Sequence, residues 1–133
     1  MHQADWIAGR LLGRMGVSDE NNALKLGYDP MRRQWPPWMD GLGVRRELLP
    51  DVVAPGTPLG PVPPDMAERF GLPRACLVVA GTTDGCAAFL ATGADSVGDG
   101  VTALGSTLTI KVLSAAPVFA PAYGVYSHRL GDR

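Results

Sequence analysis

An apolar run that ends at a glycine-rich turn constrains the fold of this chain more than any other feature. Residues 75–80, ACLVVA, are continuously apolar and are bounded by Pro73 and Gly81, which predicts a strand buried on both faces. Residues 81–85, GTTDG, predict a sharp turn, and residues 86–92, CAAFLAT, are small and apolar, as in a helix packed closely against a sheet. A strand, a tight turn and a helix in this order are typical of an α/β fold.

The region after this helix predicts a β-hairpin. Residues 101–113 contain two apolar segments, VTAL and TLTIKVL, hinged at Gly105-Ser106. Residues 123–128, YGVYSH, predict a short strand, and residues 129–133 predict the turn that follows it. Because a hairpin with one arm is a poor terminus for a domain, we expect this chain to be a piece of a longer protein, cut short at both ends.

The first half of the chain differs, because short helical segments alternate there with proline and glycine. We expect one domain over residues 1–133, with a helical and Pro/Gly-rich part (1–74) and a core part (75–133). The elements predicted in the first part are a helix over 4–15 that ends at Gly16, an extended or capped segment over 18–25, a short helix over 35–43, a helical turn over 45–49, an extended stretch over 54–64 and helical turns over 65–70.

The composition excludes several classes of protein. Hydrophobic residues make up 46% and charged residues 19%, which indicates a globular chain. The formal net charge is -1, and Lys and Arg occur in runs no longer than the pairs Arg32-Arg33 and Arg45-Arg46, so we expect neither nucleic acid nor membrane as a partner. Cys76 and Cys86 have no nearby histidine, so we expect no metal ligands, two reduced thiols and a cytoplasmic protein.

Asp84 is the first candidate for a catalytic residue. It follows the predicted strand and opens the predicted helix, at the edge where open α/β sheets place ligands. A rigidly held aspartate can accept the proton of a substrate hydroxyl during phosphoryl transfer. The alternative is that Asp84 only caps the helix, and the local pattern taken alone favours this structural role.

The loop Gly105-Ser106-Thr107 is the second candidate. A hairpin turn with glycine and two hydroxyls exposes N–H and O–H donors that suit phosphate oxygens. The alternative is a tight hairpin without a ligand, in which glycine is needed only for a positive φ, and the local pattern favours it. A further polar cluster, Ser18-Asp19-Glu20, is interpreted as a helix-capping segment or a solvated face.

Several longer segments occur in an order that is known from one family. They are DWIAGRLLGR, SDENNALKLGYD, LGVRRELLPDVVAPGTPLGPV, GTTDGCAAFLATGA and GDGVTALGSTLTIK. Together they resemble the FGGY family of carbohydrate kinases, and GTTDG followed by LGST is similar to its ribulokinase- and xylulokinase-like branch. The resemblance extends from about Asp5 to Arg133.

The resemblance implies a fold, a reaction and a set of site residues. The fold is that of a lobe of actin or hexokinase, built on a ribonuclease-H-like core. The reaction is transfer of the γ-phosphoryl group of ATP, with Mg²⁺, to a hydroxyl of a ketopentose such as D-ribulose or D-xylulose. By position, Asp84 is implied as the catalytic base, Asp84 and Gly85 as contacts of the small-molecule sugar, and the loop Gly105-Ser106-Thr107 as the segment that approaches ATP.

The resemblance also implies partners outside this chain. Nothing here matches the family's Asp-x-Gly-Thr phosphate loop or its adenine-binding second lobe, so the chain corresponds to the later part of the first lobe. We therefore expect the 133 residues alone to expose apolar surface and to have no measurable kinase activity without the N-terminal segment and second lobe. The alternatives are a non-catalytic sugar- or nucleotide-binding module of the same fold and an unrelated small α/β domain.

Overall fold

The computed structural model describes residues 1–131, which belong to two compact units. The first unit is Met1–Thr82 and the second unit is Thr83–Arg133. Helices and strands occur in both units, which confirms the mixed α/β composition. Residues 132 and 133, which belong to the turn predicted over 129–133, lie outside the described range. Within that range, no helix is long and apolar enough to cross a membrane.

The first unit combines short helices with two small sheets. In chain order its elements are α1 (Gln3–Leu12), β1 (Val17–Asp19), α2 (Glu20–Leu24), the 3-10 helices Pro37–Leu42 and Arg46–Leu48, β2 (Asp51–Val53), β3 (Pro58–Pro61), α3 (Pro64–Phe70) and β4 (Leu77–Val79). Strand β1 pairs with β2 in parallel, and β3 pairs with β4 antiparallel. The predicted helical segments and the extended proline stretch are confirmed. The sequence did not predict β2, because three residues are too few for a periodic pattern.

Helix α1 ends earlier than the sequence predicted. Gly13 adopts a left-handed conformation with φ of 70°, and its N–H bonds back to the carbonyl of Gly9. The predicted end at Gly16 is therefore wrong, because the helix stops at the first glycine that can turn the chain. Gly9 remains inside the helix, where a Cβ atom would collide with the sulfur of Met15.

The core of the first unit covers one face of β4. Val78 packs against other buried residues and against partly buried apolar side chains of α1. Its side chain is 8% exposed, whereas those of Leu77 and Val79 are 54% and 48% exposed. The prediction of a strand buried on both faces is therefore wrong for the described residues. Successive side chains of a strand point to opposite faces, and only the face of Val78 is packed here.

The second unit contains one α-helix and a hairpin in its described part. In chain order its elements are α4 (Asp84–Leu90), β5 (Gly100–Leu104), β6 (Leu108–Val112) and the 3-10 helix Pro121–Tyr123. Strands β5 and β6 pair antiparallel with a regular register, which confirms the predicted hairpin. Helix α4 begins at Asp84, before the predicted start at Cys86.

The strand predicted over residues 123–128 is wrong. This region has the 3-10 helix Pro121–Tyr123 and a single bridge between Ala120 and Val125 instead. Gly124 adopts a left-handed conformation with φ of 69° and folds the chain back between the two bridging residues. A chain that reverses so tightly leaves no extended segment long enough for a ladder.

The hairpin leaves large apolar side chains exposed. Leu104 is 86% exposed and Ile110 is 69% exposed. Leu108 and Val112 on β6 are exposed as well. The expectation that the chain exposes apolar surface is therefore confirmed, and contiguous surface of this kind promotes association.

Candidate active site

The turn over residues 81–85 places Asp84 in the first turn of α4. Thr83 is the N-cap of this helix, because its buried Oγ1 accepts a hydrogen bond from the N–H of Cys86 at 3.3 Å. Asp84 is the first helical residue, and its side chain is exposed. The alternative that Asp84 is the helix cap is therefore wrong, since Thr83 occupies the capping position.

The carboxylate of Asp84 is oriented by the next residue. The N–H of Gly85 donates a hydrogen bond to Oδ1 of Asp84 at 2.8 Å. This bond restricts the rotation of the carboxylate while the side chain stays open to solvent. An exposed carboxylate with a restricted direction is accessible to a small molecule and is able to accept a proton from it.

Lys111 makes a contact with this turn that the sequence did not predict. Its Nζ atom donates a hydrogen bond to the carbonyl oxygen of Gly85 at 2.6 Å. The bond ties the first turn of α4 to strand β6. The sequence does contain a signal, since Lys111 is the one charged residue in the apolar segment TLTIKVL.

The hairpin loop Gly105-Ser106-Thr107 is a three-residue connection between Leu104 and Leu108, which pair with each other, and the loop is exposed. The φ of Gly105 lies outside the left-handed region, and a Cβ atom there would meet only the carbonyl oxygen of Thr107, at an ordinary 3.8 Å. The prediction that this glycine is needed for a positive φ is therefore wrong. Neither the turn nor its neighbours require glycine at this position.

The loop and the Lys111 contact lie on the same hairpin. Lys111 pairs with Val101, and the pair Leu104 and Leu108 closes the loop. Three residues of strand β6 therefore lie between Lys111 and the loop, which places Lys111 about 13 Å along the strand from Thr107. Asp84, Gly85 and the loop thus belong to one unit and are connected through β6.

Asp99 fixes the turn that leads into the hairpin. The N–H groups of Ser96 and Asp95 donate hydrogen bonds to its Oδ2 at 3.0 and 3.1 Å. These bonds, that of Ser96 first, lower the pKa of the Asp99 carboxyl below its ordinary value. The N–H of Leu113 donates to the Asp99 carbonyl at 2.9 Å, so this turn is also tied to the far end of β6.

Known proteins share both the sequence and the fold of this chain. No protein-family model matches it. The autoinducer-2 kinase of Escherichia coli (strain K12) is 35% identical over 128 residues, which cover 92% of this chain and 23% of that kinase. The autoinducer-2 kinase of Enterobacter sp. (strain 638) is 34% identical over 82 residues. A ligand-bound xylulose kinase from Lactobacillus acidophilus superposes with a TM-score of 0.86 over 97% of this chain, at 19% identity.

The chain is homologous to the FGGY-family carbohydrate kinases. Its fold is that of part of an actin- and hexokinase-like kinase lobe, as the sequence predicted. The alternative of an unrelated small α/β domain is therefore wrong. The chain spans less than a quarter of the length of the autoinducer-2 kinases it matches, and 26% of the xylulose kinase chain.

The first unit of this kinase homologue buries a polar segment at the start of α2. Asp19 caps α2, because its Oδ1 accepts hydrogen bonds from the N–H groups of Asn21 and Asn22 at 2.9 and 3.0 Å. Asp19 is only 2% exposed, so the capping interpretation is confirmed and the interpretation as a solvated face is wrong. Within the same unit, the side-chain amide of Asn21 donates to Oγ1 of Thr82 at 2.9 Å.

Replacement of Asp19 by Ala is expected to destabilise the chain by about 2–4 kcal/mol, through the lost cap and the donors left without an acceptor. The donors concerned are the two N–H groups of α2 and the side-chain amide of Asn22, which donates to Oδ2 of Asp19 at 2.6 Å. Urea unfolding followed by circular dichroism measures the change. Asp65→Ala is the matched control, because Asp65 lies exposed in the first turn of α3. Equal effects of the two substitutions would contradict the capping role.

Proposed function

We propose that this chain is part of an ATP-dependent carbohydrate kinase that phosphorylates a hydroxyl of a ketopentose such as D-ribulose or D-xylulose. The observation that carries the proposal is the exposed, oriented carboxylate of Asp84, which lies outside the N-cap position occupied by Thr83. The homology to autoinducer-2 kinases and the fold shared with a xylulose kinase support the reaction class. Both cysteines are free thiols, which fits the reducing cytoplasm where we place the protein.

In the proposed reaction, Asp84 acts as the general base. Its carboxylate accepts the proton of the sugar hydroxyl while the hydroxyl oxygen attacks the γ-phosphorus of ATP. The bond between the γ-phosphorus and the bridging oxygen breaks, and ADP leaves. Gly85 lies directly beside this carboxylate, and we propose that it contacts the same sugar.

The loop Gly105-Ser106-Thr107 is proposed to contact the ATP phosphates. Gly105 is required neither by its φ nor by its neighbours, and a glycine of this kind permits close approach of the backbone to a ligand. The hydroxyls of Ser106 and Thr107 are exposed at the same tip and add donors for phosphate oxygens. A glycine that the turn does not require, together with two exposed hydroxyls, supports a phosphate-binding role for the loop over a role in chain reversal alone.

Magnesium fits the proposal as a companion of the nucleotide. Residues 1–131 contain no group of three or more His, Cys, Asp or Glu residues able to hold a metal ion. Mg²⁺ usually keeps several waters and binds through substrate phosphates with one or two carboxylates, so a dedicated cage is not required. When bound, it would neutralise charge on the phosphates.

Activity is proposed to require the rest of the kinase. A phosphoryl transferase must position nucleotide, metal and acceptor together, and small misplacements greatly reduce the rate. Because the chain covers only a fraction of the related kinases, we expect the 133 residues alone to show no measurable turnover.

The test is ADP release by the full-length protein encoded by the reading frame that contains this chain. It is supplied with ATP and, separately, D-ribulose, D-xylulose and autoinducer-2, and the 133-residue chain is assayed in parallel. Ketopentose-dependent release by the full-length protein alone is expected. Release only with autoinducer-2 would overturn the ketopentose assignment. Sugar or nucleotide binding without any turnover would favour the alternative, a non-catalytic binding module of the same fold.

A further inference from the structure

Lys111 reaches the turn of Asp84 from a different element of the second unit. It lies in β6, and its partly buried ammonium donates a hydrogen bond to the Gly85 carbonyl at 2.6 Å. A lysine usually keeps its charged end in water, because removing it from water is costly unless it finds a partner. The carbonyl of Gly85 is such a partner, which indicates that this inward position of the ammonium is specified.

The ammonium of Lys111 lies close to the position that a side chain at residue 85 would occupy. A Cβ atom at Gly85 would lie 2.9 Å from Nζ of Lys111, closer than real Cβ atoms approach other atoms, whereas Cε of Lys111 would lie at an ordinary 3.8 Å. The φ of Gly85 lies outside the left-handed region, so alanine would be compatible with the backbone. Glycine within a helix is less stable than alanine. Because Nζ is the end of a flexible side chain, alanine at position 85 would displace the ammonium from the Gly85 carbonyl rather than disturb the backbone.

Gly85 is also bound on the side of Asp84. Its N–H donates to Oδ1 of Asp84 at 2.8 Å, while its carbonyl accepts from Lys111. One residue is thus held between the carboxylate and the ammonium. A movement of Gly85 would therefore move the hydrogen bond that orients the carboxylate of Asp84.

We propose that Lys111 is a positioning residue for Asp84, which holds Gly85 in place and thereby sets the direction of the Asp84 carboxylate toward the sugar hydroxyl. This inference rests on the proposed kinase function. A lysine that only ties the hairpin to α4 would change stability alone. A positioning residue changes the rate of the chemical step, since a displacement of about 1 Å can reduce turnover about 100-fold.

The test is a double-mutant cycle in the full-length protein, with Lys111→Met, Gly85→Ala and the two combined. Methionine ends near the position of Cε and removes Nζ, so it keeps most of the packing and leaves room for a Cβ atom at Gly85. We expect Lys111→Met to lower kcat about 10- to 100-fold with KM for ATP changed less than about threefold. Gly85→Ala should lower kcat similarly, and should have no further effect when methionine is at position 111.

Three further variants control the cycle. Lys111→Arg keeps a cationic donor and is expected to recover part of kcat. Lys25→Met removes the exposed second lysine of the chain, and Gly41→Ala adds a Cβ atom where no atom lies within 4 Å. Both are expected to leave kcat unchanged. Thermal unfolding of each variant identifies any that fail to fold, and Gly85→Ala, which keeps the lysine, then provides the decisive comparison.

Separate results test this inference and the proposed function. Wild-type kcat in Lys111→Met, or additive losses in the double variant, would overturn the positioning role while the kinase function stands. A wild-type protein without turnover on any sugar would overturn the kinase function itself. A fall in melting temperature without any change in kcat would assign Lys111 to stability alone.

Discussion

Replacement of Asp84 by Asn in the full-length protein is expected to lower kcat by about 100- to 10,000-fold while ATP still binds. Asparagine has nearly the shape of aspartate and can still accept the hydrogen bond from Gly85, so the turn should keep its structure. It cannot take up a proton from a sugar hydroxyl at neutral pH. The expected loss therefore isolates the base role from the structural one.

Steady-state ADP release gives kcat for this substitution, and isothermal calorimetry gives the affinity for ATP. Asp65→Asn is the matched control, because Asp65 lies in the first turn of α3, is exposed like Asp84 and belongs to the first unit. Near-normal turnover in Asp84→Asn would reject Asp84 as the base. If the substitution abolished ATP binding as well as turnover, Asp84 would instead have a role in nucleotide binding.

Replacement of Gly105 by Ala is expected to raise KM for ATP about tenfold, which corresponds to about 1.4 kcal/mol of lost binding energy. The added Cβ atom meets no close neighbour, and the φ of Gly105 is suitable for alanine, so folding should be unaffected. A methyl group at the tip would nevertheless obstruct phosphates that approach the backbone. The combination of normal stability and weakened ATP use is specific to a ligand contact.

Gly41→Ala serves as the control for this second prediction, because Gly41 also lacks a positive φ and a Cβ atom there would meet no atom within 4 Å. Melting temperatures of both variants should stay close to that of the wild type. An unchanged KM for ATP in Gly105→Ala would contradict the phosphate role. A large fall in melting temperature would show that the glycine serves the fold.

Much of the local structure was predictable because proline and glycine act over only a few residues. Pro37 opens its 3-10 helix and Gly71 ends α3, both as the sequence predicted. The end of α1 was not predictable in this way. Gly9 and Gly13 both lie in its pattern, and the sequence does not show which of them takes the left-handed conformation that Gly13 adopts at the end of the helix.

The candidate site was predictable in part. Asp84 and the hairpin loop were selected from their residue types and their positions after predicted strands. Local pattern alone could not decide between capping and chemistry at Asp84, because Thr83 and Asp84 are both favourable N-caps. The backbone geometry decided only which residue is the N-cap, since Thr83 is extended and α4 begins with Asp84.

The sequence by itself therefore determined most of the helical segments, the hairpin and the residue types at the turn, because these follow from interactions between near neighbours. Only the tertiary structure decided that Asp19 is buried, that Val78 alone of its strand is packed, and that Lys111 reaches Gly85. Lys111 and Gly85 are 26 positions apart, and no local sequence pattern encodes a contact over that separation. Such contacts depend on how β6 lies against α4, which the packing of the folded chain determines.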